Sequence, residues 1–186
     1  VPRAGLSTDK VVAEAAVLVD EQGRESLTLS ALAKRFGVAQ PSLYKHVAGV
    51  ESLDRLLAVR VVAEVADVLR RAATGRAGAD ALRAVAGAYR DYATAHPGRY
   101  GYLLRAPAPG DQDLAGAAEE VMALLNDVFA GYGLSGDDAV DAARFLRSTL
   151  HGFVSLELAG GFGLAQPVDG SFERMVGAVD GALNDW

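Results

Sequence analysis

The amino-acid sequence predicts an all-α protein of about nine helices. Apolar residues recur at spacings of three and four in nearly every segment, as they do on a helix with one buried face. About a fifth of the 186 residues are Ala, the strongest helix former. Gly and Pro punctuate the gaps between these segments, and neither a convincing strand nor a fixed-period repeat interrupts them.

The elements follow in order. Val12, Ala15, Ala16 and Val19 line a first helix over residues 11–23, with Ser7 or Thr8 placed to cap it, Asp9 in its first turn and Gly23 at its end. A short second helix follows Thr28, with Leu32, Ala33 and Phe36 inward and Gly37 after it. The third, over residues 40–47, is shorter still and begins with Pro41, whose missing N–H costs little in a first turn. Leu53, Leu56, Leu57, Val61, Val65, Val68 and Leu69 define a long fourth helix over residues 51–73, broken at Thr74 to Gly78. Leu82, Val85, Ala86, Tyr89, Tyr92 and Ala93 make a fifth, stopped before Pro97, which disfavours a helical residue ahead of it. A short sixth covers residues 99–104, and a Pro-rich loop follows over residues 106–110. Leu114, Ala117, Val121, Leu124, Leu125, Val128 and Tyr132 mark the seventh; residues 135–159 form the eighth; Phe172, Met175, Val176, Val179 and Leu183 mark the last.

Composition narrows the chemistry. A hydrophobic content of 51% with 23% charged residues fits a packed chain. The absence of Cys excludes disulfides, thiol nucleophiles and Cys-based zinc sites. The start, VPRAGLSTDK, lacks the apolar core of a signal peptide, and no apolar run reaches the ~18 residues of a membrane span. A soluble, cytoplasmic protein without a membrane partner is expected. The histidines show no ligand spacing, and the Gly160-Gly161-Phe162-Gly163 run follows no strand, so no metal and no cofactor is expected. Ser148, His151 and Ser155 share a helical face, but no third group or oxyanion hole accompanies them, which argues against an enzyme.

The charge is unevenly distributed. The net value is −6, from 18 basic and 24 acidic residues, which by itself discourages a nucleic-acid partner. Residues 1–60 nevertheless sum to +1, and the remainder to −7. Residues 26–50 contain no acid at all, and all three lysines lie within the first 45 residues. Such asymmetry suits a nucleic-acid-facing module on an acidic body.

The acid-free stretch coincides with a helix-turn-helix pattern. That motif requires a small residue where two helices touch, a turn residue tolerant of positive φ, and apolar residues filling the wedge. Ala33, Gly37, and the set Leu32, Phe36, Val38, Leu43 and Val47 meet these needs. Gln40, Ser42, Tyr44, Lys45 and His46 then remain as outward hydrogen-bonding groups on a helix short enough for a major groove. Gln can pair bidentately with adenine, and Pro41 or Tyr44 can touch a thymine methyl. Lys45 and the hydroxyls suit phosphate oxygens.

Residues 28–38 (TLSALAKRFGV) and 40–47 (QPSLYKHV) resemble the N-terminal domain of TetR-family transcriptional regulators, and the likeness extends over about the first 60 residues. The resemblance implies a helix-turn-helix DNA-binding domain over residues 1–50 and a helical ligand-binding and dimerisation domain over residues 51–186. It implies that Gln40, Pro41 and Tyr44 approach base edges, while Thr28, Ser42, Lys45 and His46 meet phosphates. Two departures stand out. Ala48-Gly49-Val50 offers no base where the family usually has one, and Ser30 stands where the family's founding member has a base-reading Arg. Affinity would then lean on an N-terminal arm bearing Arg3, or on Lys34 and Arg35.

Residues 150–160 (LHGFVSLELAG) and the run His96-Pro97-Gly98-Arg99-Tyr100 resemble a C-terminal domain type with a Trp-His-Gly signature, although Leu150 replaces the Trp. The family implies a homodimer through the last two long helices. Ala142, Ala143, Gly152, Ala159, Gly177, Ala178 and Gly181 would allow close approach, with Phe172, Met175, Val176 and Val179 adding apolar area, unless that stripe faces its own core. Ligand-binding candidates are Tyr89, Tyr92, His96, Tyr100, Leu104, Leu124, Val128, Arg147 and His151, alongside Leu103, Phe145, Phe153 and Glu157. The implied function is a DNA-binding repressor released by a small-molecule effector. The dimer would read a near-palindromic double-stranded site. The alternative is a helical binding protein whose helix-turn-helix no longer engages DNA.

Overall fold

A computed structural model of the chain describes residues 5–186; Arg3, expected on the N-terminal arm, lies outside the described residues. Among the described residues the chain holds eight α-helices, three short 3-10 helices and no strand. All nine predicted helices are present, the third and part of the sixth wound as 3-10, and an additional 3-10 turn spans Arg24–Ser26. By packing, the chain forms two compact units. Among the described residues, one comprises residues 5–63 with 96–115; the other comprises residues 64–95 with 116–186.

In the first unit, α1 (Thr8–Gln22) begins where the Ser7 hydroxyl accepts from the Lys10 N–H at 3.3 Å and ends at Gly23, whose φ is +79°. Its inward stripe of Val11, Val12, Ala15, Leu18 and Val19 is buried. Thr28 caps α2 (Leu29–Phe36), its Oγ1 accepting from the Ala31 N–H at 3.1 Å. The segment Gln40–Lys45 is 3-10 helix, with Pro41 in its first turn; short runs tolerate this tighter winding. The start of α3 (Val50–Ala73) completes the motif with Leu53 and Leu57, both fully buried. Residues far along the chain join this unit: a single turn α5 (Pro97–Tyr100), leading into a 3-10 turn Gly101–Leu104. Before it, His96 leaves the helical region at φ −132° and ψ 59°, as the following proline demands.

The second unit holds the rest of α3, then α4 (Gly78–Ala95), α6 (Gln112–Ala130) from residue 116 onward, α7 (Gly136–Leu158) and α8 (Val168–Asn184). Helix α4 packs on α7 and α8, and these two pack on each other. Their shared core includes Leu82, Val85, Leu146, Val154, Val176 and Leu183. Arg90 lies over the Phe172 ring at 4.8 Å and forks onto Glu157 at 2.8 and 2.5 Å, with Asp169 at 2.8 Å. These bonds, Glu157 first, raise its pKa further.

The expected dimer stripe divides here. Phe172, Val176 and Val179 are buried in the chain's own core, as are Ala142 and Ala143, because α8 lies against α4 and α7. Gly152, Ala159, Gly177, Ala178 and Gly181 remain exposed. So do Val140, Phe145, Leu156 and Trp186, with the Phe145 and Trp186 rings 5.8 Å apart. No helix among the described residues is long and apolar enough to cross a membrane.

Candidate nucleic-acid interface

The turn between α2 and the 3-10 segment follows from one residue. Gly37 adopts φ +64° and ψ 33°, a left-handed conformation that costs a Cβ-bearing residue. The Val38 N–H then donates to the Ala33 carbonyl at 3.0 Å and Gly37 N–H to Lys34 at 3.2 Å, satisfying the last carbonyls of α2. Ala33, Leu32, Leu43 and Val47 are buried at the wedge, and Phe36 and Val38 are half-buried.

The 3-10 winding sorts the candidates. At three residues per turn, side chains at i and i+3 stack along one edge. Gln40 aligns with Leu43, Pro41 with Tyr44, and Ser42 with Lys45. Leu43 is fully buried and fastens the segment to the head. Pro41, Tyr44, Gln40 and Lys45 are exposed, Tyr44 by 54%, which is far for a phenol that packing could have covered. Ser42 and His46 are half-buried. Of the three groups suited to base edges, Pro41 and Tyr44 thus share one edge while exposed Gln40 stands at the start of the segment in line with Leu43, and the hydroxyl and ammonium of Ser42 and Lys45 share another edge. The end of the segment is anchored from α1, since the Thr8 hydroxyl donates to the His46 carbonyl at 3.0 Å.

Thr28 and Arg35 are already occupied. The Thr28 hydroxyl serves as the α2 cap. Arg35 is clasped by Glu14 at 2.5 Å and Glu21 at 2.6 Å, both from α1. The hydrogen bonds from Glu21 and Glu14 raise the Arg35 pKa further, and Arg35 in turn holds the Glu21 carboxyl below its usual range. Arg35, expected alongside Lys34 as a phosphate contact, has its fork turned onto carboxylates in this structure. Lys34 and Lys45 are exposed and make no ion pair among the described residues.

The ligand candidates divide between the two units. His96, Tyr100 and Leu104 belong to the first; Tyr89, Tyr92, Leu124, Val128, Arg147 and His151 belong to the second. His96 Nδ1 lies 3.0 Å from Asp20, Tyr100 is buried, and Leu104 is exposed. The Tyr92 hydroxyl donates to Glu64 at 3.0 Å; Tyr89 and His151 are half-buried, and Arg147 is exposed. Leu124 and Val128 line an open cavity of about 250 Å³ with Ala73, Ala81, Arg70, Thr74, Arg76 and Asp127. Phe153 and Glu157 sit with Arg90 instead. No group of three or more His, Asp or Glu residues among the described residues could hold a metal.

The sequence reading missed the carboxylates that organise the head. Asp20 accepts from Arg99 Nε at 2.7 Å, and Asp54 accepts from Arg24, Arg105 and the buried Tyr102 hydroxyl. For Asp20 the available signal was an acid near the end of a helix whose last turn holds no base, against the macrodipole's preference; Asp54, near the start of α3, gave no such signal.

Known proteins resemble the chain over both units. Residues 82–179 match the family model described as tetracyclin repressor-like, C-terminal domain. The HTH-type transcriptional regulator Rv0681 of Mycobacterium tuberculosis is 43% identical over 162 residues, which is 84% of this chain and 72% of that protein. A solved protein of unknown function from Rhodococcus sp. RHA1 has a TM-score of 0.77 at 26% identity, over 99% of this chain and 97% of that one. BioQ, solved with its natural double-stranded DNA operator, shares the fold with a TM-score of 0.68 at 20% identity, over 97% of this chain and 99% of that one.

Proposed function

The chain belongs to the tetracycline-repressor-like (TetR) family of helix-turn-helix transcriptional regulators, and from that premise we propose that it is a repressor reading a near-palindromic operator. The observation that carries this is the sorting of the recognition segment into a Pro41/Tyr44 edge and a Ser42/Lys45 edge around a buried Leu43. Gln40, Pro41 and Tyr44 approach base edges; Ser42, Lys45, His46 and Thr28 meet phosphates. BioQ, which has the same fold, holds operator DNA, and the exposed carriers of this chain match that use. Residues 1–50 act as the reading head and residues 51–186 as the effector and dimer half.

Two copies associate through α7 and α8, where exposed Val140, Phe145, Leu156 and Trp186 flank exposed glycines and Ala178. A small-molecule effector, contacted by the candidates of the larger half, favours a state in which the paired recognition segments no longer fit adjacent grooves. A gel-shift titration against DNA selected in vitro tests the reading. The outcome expected is sequence-selective and salt-sensitive binding, weakened by more than tenfold in a Gln40→Ala, Tyr44→Ala double variant. Undiminished binding by that variant would remove the recognition segment from its role.

A further inference from the structure

Acids cluster where a helix least favours them. Asp20 and Glu21 stand in the last turn of α1, beside carbonyls carrying the negative end of the macrodipole, and no base offsets them there. Their tertiary partners lie on two different elements. Glu21, with Glu14, holds Arg35 of α2. Asp20 collects three donors from the segment after α4: Arg99 Nε at 2.7 Å, the Arg99 backbone N–H at 3.2 Å, and His96 Nδ1 at 3.0 Å. The backbone at Gly98 is pressed onto the same place, where a Cβ would stand 2.0 Å from the Val19 carbonyl oxygen and 2.7 Å from the Asp20 Cα. The Arg99 and Asp20 side chains are 11% and 17% exposed, so their ion pair is largely shielded from water, while the His96 ring is partly exposed.

We infer that Asp20 is a positioning residue for DNA recognition: it fixes the end of α1 against residues 96–99, so that α1, through Glu14, Glu21 and Arg35, holds α2 and the recognition segment at the angle that fits the groove. Asp20 touches no DNA in this arrangement. The inference rests on the DNA-binding reading above and adds a route by which residues 96–99 set the affinity of residues 40–46. It also reassigns His96 from an effector contact to a member of this clasp.

The sign of the effect separates positioning from plain electrostatics. Removing a negative charge from a DNA-binding head strengthens its attraction for phosphate. Asp20→Asn removes one charge, yet is expected to bind selected DNA about tenfold more weakly than wild type. Glu25→Gln, an exposed acid a few residues on, is expected to bind at least as tightly as wild type. Gly98→Ala is expected to lose at least as much as Asp20→Asn. Val85→Ala, a cavity in the second unit, serves as the control for general destabilisation and is expected to keep wild-type affinity. Gel-shift titration and circular dichroism on the full chain supply the readouts. Should Asp20→Asn fail to fold, Arg99→Lys keeps the charge while removing the Nε–H that reaches Asp20, and the same loss is expected. Wild-type or tighter binding by the folded variant, with wild type itself binding normally, overturns the inference. Absence of any selective binding by wild type overturns the DNA-binding reading, and this inference with it.

Discussion

The α1 flank and the recognition edge of the same head use positive charge in opposite ways. On the flank and its surroundings three arginines are turned onto carboxylates, Arg35 onto Glu14 and Glu21, Arg24 onto Asp54, Arg55 onto Asp111 and Asp113, while Lys10 of α1 donates to the Gly5 carbonyl. On the recognition side the bases are Lys34 and Lys45, exposed and without an ion pair among the described residues. The guanidinium fork suits fixed, two-point bonding to a carboxylate, while an ammonium is a mobile point charge that suits a phosphate oxygen. The small positive sum over residues 1–60 therefore understates the separation. Much of the arginine charge is spent inside the head, and the lysines remain outside. Substitutions on the flank should change stability and geometry; those on the edge should change affinity and its salt dependence.

The largest effect is expected where the two regions meet. Leu43 is fully buried and carries the recognition segment on the core formed with α1 and α2. Leu43→Ala should cost about 2–5 kcal/mol through lost transfer energy and a residual cavity. Urea denaturation monitored by circular dichroism measures it. A loss below about 1 kcal/mol would mean that the segment is held by its polar contacts instead, and the comparison would fail at its centre.

Asp54 comes next and adds a pH dependence. It accepts from Arg24 at 3.1 and 2.7 Å, from Arg105 at 3.0 Å and from the Tyr102 hydroxyl at 2.6 Å. Burial pushes its carboxyl up, but the hydrogen bonds from Arg24 and Tyr102 outweigh this and hold it below its usual range. A carboxyl depressed in the folded state stabilises fully above its unfolded pKa, near ~3.9, and loses that contribution as pH falls through the folded value. Asp54→Asn should therefore cost about 1–3 kcal/mol near neutral pH. The gap from wild type should narrow as pH drops below about 4. Denaturation at a series of pH values reads both, and a gap independent of pH would show that Asp54 acts by shape alone.

The edge and the flank are then compared directly. Lys45→Ala should leave the denaturation midpoint unchanged, weaken binding to any DNA, and make the salt dependence shallower by about one released ion. Arg35→Ala should lower stability and weaken selective binding while keeping the wild-type salt slope. Equal changes of slope in the two variants would show that Arg35 reaches phosphate after all.

The sequence revealed this division only in part. Helix order, the Gly37 turn and the cap of the first helix at Ser7 were legible, because each depends on local residues with well-defined preferences. The 3-10 winding of Gln40–Lys45 was not, since the periodicity of so short a run cannot separate three residues per turn from 3.6. Arg35 looked available because Glu14 and Glu21 are distant in sequence and reach it only when α1 and α2 cross. For the same reason, nothing local to residues 96–105 announced that they pack with residues 5–63. Of the apolar stripe in α8, periodicity identified a buried face, and only the packing against α4 and α7 showed what buries it.

The smallest expected effect concerns Thr28, which lies on both sides of the comparison. Its Oγ1 accepts from the Ala31 N–H and so caps α2, a role that would compete with phosphate binding if a hydroxyl could do only one thing. A hydroxyl has two acceptor lone pairs and one donor hydrogen. The cap uses a lone pair, so the O–H remains able to donate to a phosphate oxygen at the helix N-terminus, where an anion is favoured. Thr28→Ser should keep both functions and bind DNA as wild type does. Thr28→Ala should lose about 1 kcal/mol of stability from the missing cap, together with a few-fold loss of affinity. Thr28→Asp separates the two roles: its carboxylate restores the cap but repels phosphate. Recovered stability with affinity well below that of Thr28→Ala is the expected result. Affinity restored along with stability would show that Thr28 serves α2 alone and that the phosphate is met elsewhere.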